Sequence, residues 1–590
     1  ENRPMWCHTA SMRRYRCASA AALLCCALFP PVACLPTAAG GRTARHAAFA
    51  SYRGEAVSDA SMEVVRGAVP DWLRGAYLRN GPGLFEAGER RLRHWFDGYA
   101  LLTRVQLSGG ETPPRLTTRF VETDALTAAR AGSLGYAEFQ TPLSEPGGGV
   151  AGALRSLAAL AAGDPTDNCC VNLVRHGGDL VAMTETQRSW RAIDPATLKS
   201  RGRGLLDASE TPSTHSLPLP PLHQATPLRG REEATHRRAE AGRRRVPWAA
   251  GSRLGVLGTA HPHPDPAGGG GLINVATDIN PPFFSSYQVY TVSAQPPWHR
   301  QLLASIPCDD RAAPRWLHSF GVTDRSVVVI EQPAAYDVPA MLGVRSASHG
   351  TLDWLPERGT RVHVLDRRSG AVEVHVVQPP FFFFHVCNTF EADGAVCVDL
   401  CAFDDPEIVS SLSLERLTDD SQARDLPRSR VVRLSLPRRG GGDGGGDADG
   451  GAAPELVPLD DVSVSGGFAD LPKINPRVAG CADYRFVYGI GAARPTPVSN
   501  RLVKTDVAGR GGDAAFEVAG MLPGEPLFVP RPGGAEEDDG VLLSMGTDPD
   551  GGSSLYVLAA QDMRLLAQCR SPVPLPAGFH GCWLEEGGGS

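Results

Sequence analysis

The chain has 590 residues, enough for one large closed β-architecture or for several smaller domains, so length alone does not fix the domain count. Its formal net charge of −7 argues against nucleic-acid binding, which leaves a basic face. Five of its fourteen cysteines (7, 17, 25, 26 and 34) lie near the N-terminus, and the other nine form neither a disulfide framework nor a CxxC pair, so the folded protein is expected to be free of disulfides.

Residues 2–54 contain no Asp or Glu, carry Arg13, Arg14 and Arg16, and continue through the apolar run CASAAALLCCALFPPVAC at 17–34. A basic region before a short apolar core reads as a signal peptide. The Ala- and Arg-rich LPTAAGGRTARHAAFASYRG that follows has transit-peptide composition. Together they are similar to the bipartite leader of plastid proteins in algae with complex plastids, with simple secretion as the alternative. The expected division is a leader over 1–54 and one catalytic body over 55–590.

From residue 55 onward, short apolar or alternating runs broken by Gly, Asp and Pro predict strands, among them VNLVRHGGDLVAMTE (171–185), RSVVVIEQP (325–333), AVCVDLCAF (395–403), RFVYGIGA (485–492) and GVLLSMGTD (540–548). One amphipathic segment, VAGALRSLAALAAG (150–163), predicts a helix that serves as a lid, a membrane-facing element or core. An Asp opens a turn between strand-like runs in AIDPATLK (192–199), HPDPAGGG (263–270), VLDRRSGAV (364–372) and KTDVAGRGG (504–512), which is hairpin chemistry repeated along the chain. Hairpins over so many residues favour an all-β propeller, with a pair of β-sandwiches as the alternative. The Pro-rich and basic stretch 208–246 and the Gly-rich 438–453 read as disordered inserts.

Most of the sixteen histidines have ordinary explanations. His8 and His46 fall in the leader, His215, His223 and His236 in the first insert, His176 in a turn, and His363 and His375 on alternating strands. Four stand apart: His261 in GTAHPHPDP, His318 in RWLHSFGVT, His385 in PPFFFFHVCNTFE and His580 in PAGFHGCWL, each beside apolar residues at a strand end. A buried neutral imidazole needs a partner, and a shared metal supplies one. Separations of 57, 67 and 195 residues are too long for a zinc finger and suit ligands brought to one axis by different blades.

YLRNGPGLFEAGERRLRHWFDGYALL (77–102), TDNCCVNLV (166–174), TETQRSWRAIDPATL (184–198), AHPHPDP, LHSFGVT, FHVCNTFE, EPLFVPRPGGAEEDDGVLLS (525–544) and GFHG occur in order, and the chain resembles the carotenoid cleavage oxygenases. That family includes plant and animal carotenoid dioxygenases and the retinoid isomerase of the visual cycle. The resemblance implies a seven-bladed β-propeller with one Fe(2+) per chain on its axis, held by His261, His318, His385 and His580, while His263 does not bind and His94 belongs to a structural motif. It also implies carboxylates behind the ligands: Glu185, Glu525 and, where the family has Glu, Asp470. An Asp there must move closer, bridge through water or hold its His less well. Val171, Thr184 and Phe384 are expected to line the cavity for substrate and oxygen, and Phe381 to Phe383 line a tunnel or fill the core.

The implied reaction is oxidative cleavage of a conjugated double bond in a carotenoid or apocarotenoid by O2, giving two carbonyl products. The metal centre alone is expected to be catalytic. The alternatives are an isomerase or isomerohydrolase on the same iron, and a propeller that binds pigment without catalysis. The expected partners are the polyene, O2 and a membrane surface, with no nucleic acid and no obligatory protein partner. The expected location is the plastid.

Overall fold

The computed structural model describes residues 37–143, 166–203, 256–278, 285–295, 298–310, 313–341, 344–345, 349–438, 453–460 and 467–586. Ala38–Ser590 forms one compact unit. Seven antiparallel sheets of four to six strands follow one another along it as blades. Inner strands such as Ser326–Glu331, Ala395–Phe403 and Gly540–Thr547 are buried on both faces because each blade is sandwiched between two others, which leaves core clusters between neighbouring blades.

Chain order gives blade order. Blades two to six each begin with their axial strand: Asn172–His176, Val256–Gly258 continued by His263–Pro264, Gly321–Val322, Phe382–Ala392 and Phe468–Lys473. The ring closes twice. In the first blade the C-terminal strand Gly581–Glu585 is axial and pairs with Val69–Arg79, and in the seventh the early strand Glu63–Gly67 is outermost, beyond Leu565–Arg570. Strands from the early and the late parts of the chain thus lock the ring.

The repeated Asp turns form as expected. Asp194 Oδ1 accepts from the backbone N–H groups of Ala196 and Thr197, and Asp366 Oδ1 accepts from those of Arg368 and Ser369, each closing a hairpin. Asp265 and Asp506 do the same at the other two turns. All nine cysteines among the described residues are free. Among the described residues no helix is long and apolar enough to cross a membrane. The helix expected over 150–163, the stretch 208–246 and nearly all of 438–453 lie outside the described residues.

Two expectations need correction. Part of the segment expected to be leader packs on the body: the helix Thr37–Ala48 buries Ala44 and Ala48, and Phe49 and Tyr52 are buried beyond it, all before residue 55. His176 ends a strand instead of sitting in a turn, and its Nε2 bonds the Ser293 carbonyl at 2.9 Å.

The first two blades are tied by a buried ion pair. Asp167, fully buried, accepts from the N–H groups of Asp124 and Ala125 at the start of the helix Asp124–Arg130 and is paired with Arg191, itself buried on the next strand pair. Truncating Arg191 leaves that carboxylate without a cation, so Arg191→Leu is expected to lower stability by roughly 3–5 kcal/mol. A chemical-denaturation midpoint unchanged from the unsubstituted protein would contradict this.

Candidate metal centre

The four singled-out histidines meet on the axis at the entry of four axial strands. His580 immediately precedes Gly581–Glu585, His318 lies three residues before Gly321, His385 lies within Phe382–Ala392, and His261 sits between the two axial segments of the third blade. Their ring nitrogens lie within 4.8 Å of one another. Nε2 to Nε2 distances are 3.1 Å for His261–His318, His318–His385 and His385–His580. His263 turns away, its Nε2 bonding the Phe320 carbonyl at 2.9 Å. His94 also stays out: its Nδ1 caps the short helix Trp95–Asp97 at Phe96 N, and its Nε2 bonds the Val409 carbonyl.

Three carboxylates fix the rings from behind. Nδ1 of His318 faces Glu185 Oε1 at 2.6 Å, that of His385 faces Asp470 Oδ1 at 2.7 Å, and that of His580 faces Glu525 Oε1 at 2.7 Å. Each Nδ1 therefore carries the proton and donates it, leaving Nε2 as a bare lone pair aimed at the axis. Among the described residues no carboxylate pairs with His261.

This arrangement fits a metal. Bare lone pairs 3.1 Å apart repel, and a cation between them turns that repulsion into bonding. Neighbouring corners of an octahedron at that spacing lie about 2.2 Å from its centre, slightly longer than zinc–imidazole bonds of ~2.0–2.1 Å. Burial holds the ring pKa of all four histidines below the ordinary 6.5, so the rings are neutral ligands at neutral pH. Neutral imidazoles suit iron, zinc, copper or nickel, and they leave the ion's charge to be balanced by the carboxylates behind.

Asp470 reaches His385 directly although it is a methylene shorter than Glu. The strand breaks register on both sides of it, between Phe468 and Asp470 and again before Lys473, and Leu471 adopts a left-handed φ of 56°. Such irregularities bend a strand and re-aim its side chains. Of the outcomes open to an Asp here, the structure takes the close approach. Asp470→Asn keeps the shape and removes the anion, and is expected to weaken metal affinity by about 10–100-fold. Metal retained in a chelator competition at the unsubstituted level would contradict this.

Close backbone packing seats the His580 loop. Asn80 N donates to the His580 carbonyl and Phe579 N to the Asn80 carbonyl, at 2.9 and 2.8 Å. Only glycines allow this, because a Cβ on Gly81 would lie 2.4 Å from Gly578 Cα.

An apolar cavity runs to the four rings, with His318, His385 and His580 in its lining. Val171, Thr184 and Phe384 line it as expected. Strand alternation separates the four phenylalanines: Phe382 and Phe384 pack on the cavity side, Phe381 and Phe383 into the core between blades, and only Phe384 of the four reaches the lining. The remaining wall comes from residues not foreseen in the sequence, chiefly Phe49, Phe96, Phe139, Leu412, Leu522 and Phe579.

Two further residues at the centre were also not foreseen. Trp316 donates its indole N–H to Glu185 Oε2 at 2.7 Å, and Lys473 Nζ lies 3.0 Å from Glu525 Oε1. The tryptophan was visible two positions before His318 on the same strand approach. The lysine carried no signal beyond following Asp470 by three residues.

A seven-bladed propeller whose axial strands bring four imidazoles to the end of an apolar cavity defines a class: a propeller with a candidate metal centre opening on an apolar cavity. The comparisons identify the family. Residues 49–585 match the family described as RPE65, retinal pigment epithelial membrane protein. The chain is 31% identical over 528 residues to carotenoid cleavage dioxygenase 8 homolog A, chloroplastic, of Oryza sativa subsp. japonica, covering 88% of this chain and 84% of that one. It is 28% identical over 560 residues to the beta,beta-carotene 15,15'-dioxygenase of Rattus norvegicus, covering 89% of each. A variant of the Synechocystis apocarotenoid oxygenase superposes with a TM-score of 0.67 at 23% identity, over 92% of this chain and 98% of that one, a likeness of fold. The chain belongs to the RPE65/carotenoid cleavage oxygenase family.

Proposed function

We propose that the protein is an iron(II)-dependent dioxygenase that cleaves one conjugated double bond of a carotenoid or apocarotenoid with O2, releasing two carbonyl products. The observation that carries this reading is the convergence of four histidine Nε2 atoms, three of them on rings oriented by carboxylates, at the end of an apolar cavity. His261, His318, His385 and His580 hold the ion, and Glu185, Asp470 and Glu525 keep three of the rings in the donating tautomer. Bound there, ferrous iron supplies the activation of dioxygen toward the polyene.

The chain's own residues do the rest. Phe96, Phe139, Phe384 and Phe579 wall the cavity with aromatic surface that desolvates a polyene and excludes water, and the depth to which the polyene slides selects the bond. Phe384 and Phe96 meet edge to face at 5.9 Å, giving that wall a fixed shape. Val171 and Thr184 place β-branched side chains beside the ligands, where they crowd one approach to the ion and leave another for oxygen. A substrate soluble only in lipid calls for a membrane surface at the cavity mouth, and the chloroplastic relatives favour the plastid.

Oxygen consumption decides between this reading and an isomerase or isomerohydrolase on the same site. The iron-loaded protein, given all-trans carotenoids and apocarotenals in detergent micelles, is expected to consume one O2 per polyene cleaved. Conversion of a polyene or retinoid ester without oxygen uptake would overturn the dioxygenase reading in favour of the isomerase.

A further inference from the structure

We propose that Lys473 is a positioning residue whose ammonium group balances the charge of the centre and so favours the divalent state of bound iron. The proposal rests on the iron reading above. The four imidazoles are neutral, so the ion's two positive charges face three carboxylates, Glu185, Asp470 and Glu525, within one imidazole of it. Left there, the cluster would carry one negative charge in excess, buried in a protein interior where charge is weakly screened. Lys473 restores neutrality.

The three carboxylates are not equivalent. Glu185 takes a neutral indole N–H from Trp316, and Asp470 faces only His385. Glu525 is 3% exposed, accepts from His580 Nδ1 and from Gly581 N at 3.0 Å, and is the one of the three with a lysine or arginine within ion-pair distance among the described residues. Burial alone would raise the Glu525 pKa, but Lys473 first and His580 after it more than offset this and hold the carboxyl at about 2.

Position on the chain makes this possible. Lys473 is the last residue of the axial strand that also carries Asp470, and the register break between them delivers the two side chains to different ligands of the same centre. Lys473 does not line the substrate cavity, so its substitution leaves the polyene's walls as they are.

Removing one positive charge stabilises a trivalent ion more than a divalent one, so the sign is fixed: the ferric/ferrous potential falls. The test is an anaerobic mediator titration of iron-loaded protein, in which one electron passes between mediator and metal. In Lys473→Met the ferric-to-ferrous ratio at a fixed mediator potential is expected to rise about tenfold, a shift of about 59 mV. Lys473→Arg, which keeps the charge, is expected to restore the original potential. Lys473→Gln carries the test if the methionine variant does not fold.

Unchanged potential in a neutral variant that retains iron overturns the proposal while leaving the dioxygenase reading intact. Failure of Lys473→Arg to restore the potential overturns it as well, because geometry and not charge would then be at work. Loss of iron from both neutral variants would make Lys473 a structural support only. An unsubstituted protein that takes up no iron overturns both readings together.

Discussion

His385→Ala is expected to lose its metal and, with it, on the order of a thousandfold or more in turnover, while keeping the propeller fold. His385 is one of the two middle members of the set, with His318: its Nε2 lies 3.1 Å from those of both His318 and His580, so its removal breaks the set in the middle. The substitution also leaves Asp470 facing the axis without the imidazole it orients. Metal per chain by elemental analysis, with far-ultraviolet circular dichroism as the check on folding, reads the outcome. A folded variant that still binds about one ion per chain would mean that the convergence of the four rings is not the metal site.

The second large effect concerns the N-terminal segment. A chain beginning at residue 55 is expected to be less stable than one beginning at 37 by roughly 3–6 kcal/mol, from the burial of Phe49 and Tyr52 alone. Phe49 packs edge-on to Trp95 at 5.3 Å and lines the cavity, and Ser51 Oγ accepts from Phe85 N. Ala48 O accepts from Ala577 N at 2.7 Å, on the loop that delivers His580. Truncation thus opens the cavity wall and loosens one ligand together. Equal melting temperatures and equal metal content for the two chains would contradict this account.

These two regions differ in how far the sequence announces them. The grouping of the four histidines was legible because each sits beside apolar residues at a strand end, an expensive place for an imidazole without a partner, and because the motifs around them run in family order. The hairpin turns were legible because Asp at the turn start bonds the backbone ahead of it, a local effect that needs no tertiary knowledge.

The N-terminal segment was not legible for a physical reason. Among its described side chains Ala44 and Ala48, one helical turn apart, are buried together with Arg45, and alanine-rich helical composition with basic residues is also what a targeting peptide carries. Periodicity in alanine is too weak to separate a packed helix from a leader. Lys473 was hidden differently: a lysine at a strand end is by default a solvated charge, and only the fold brings it to Glu525 from another blade. Phe96 and Phe139 stood in plain view, yet which aromatic residues face the cavity depends on how their loops fold over the axis. At Asp470 the sequence posed the choice, and the two register breaks and left-handed Leu471 answered it.

The account turns on iron held by four imidazoles, and X-ray absorption at the metal edge of protein expressed with added iron tests that most directly. The account predicts an iron edge with six light-atom ligands, four of them imidazole nitrogens at about 2.2 Å. A four-coordinate zinc spectrum, or iron bound by fewer than four imidazoles, would contradict it.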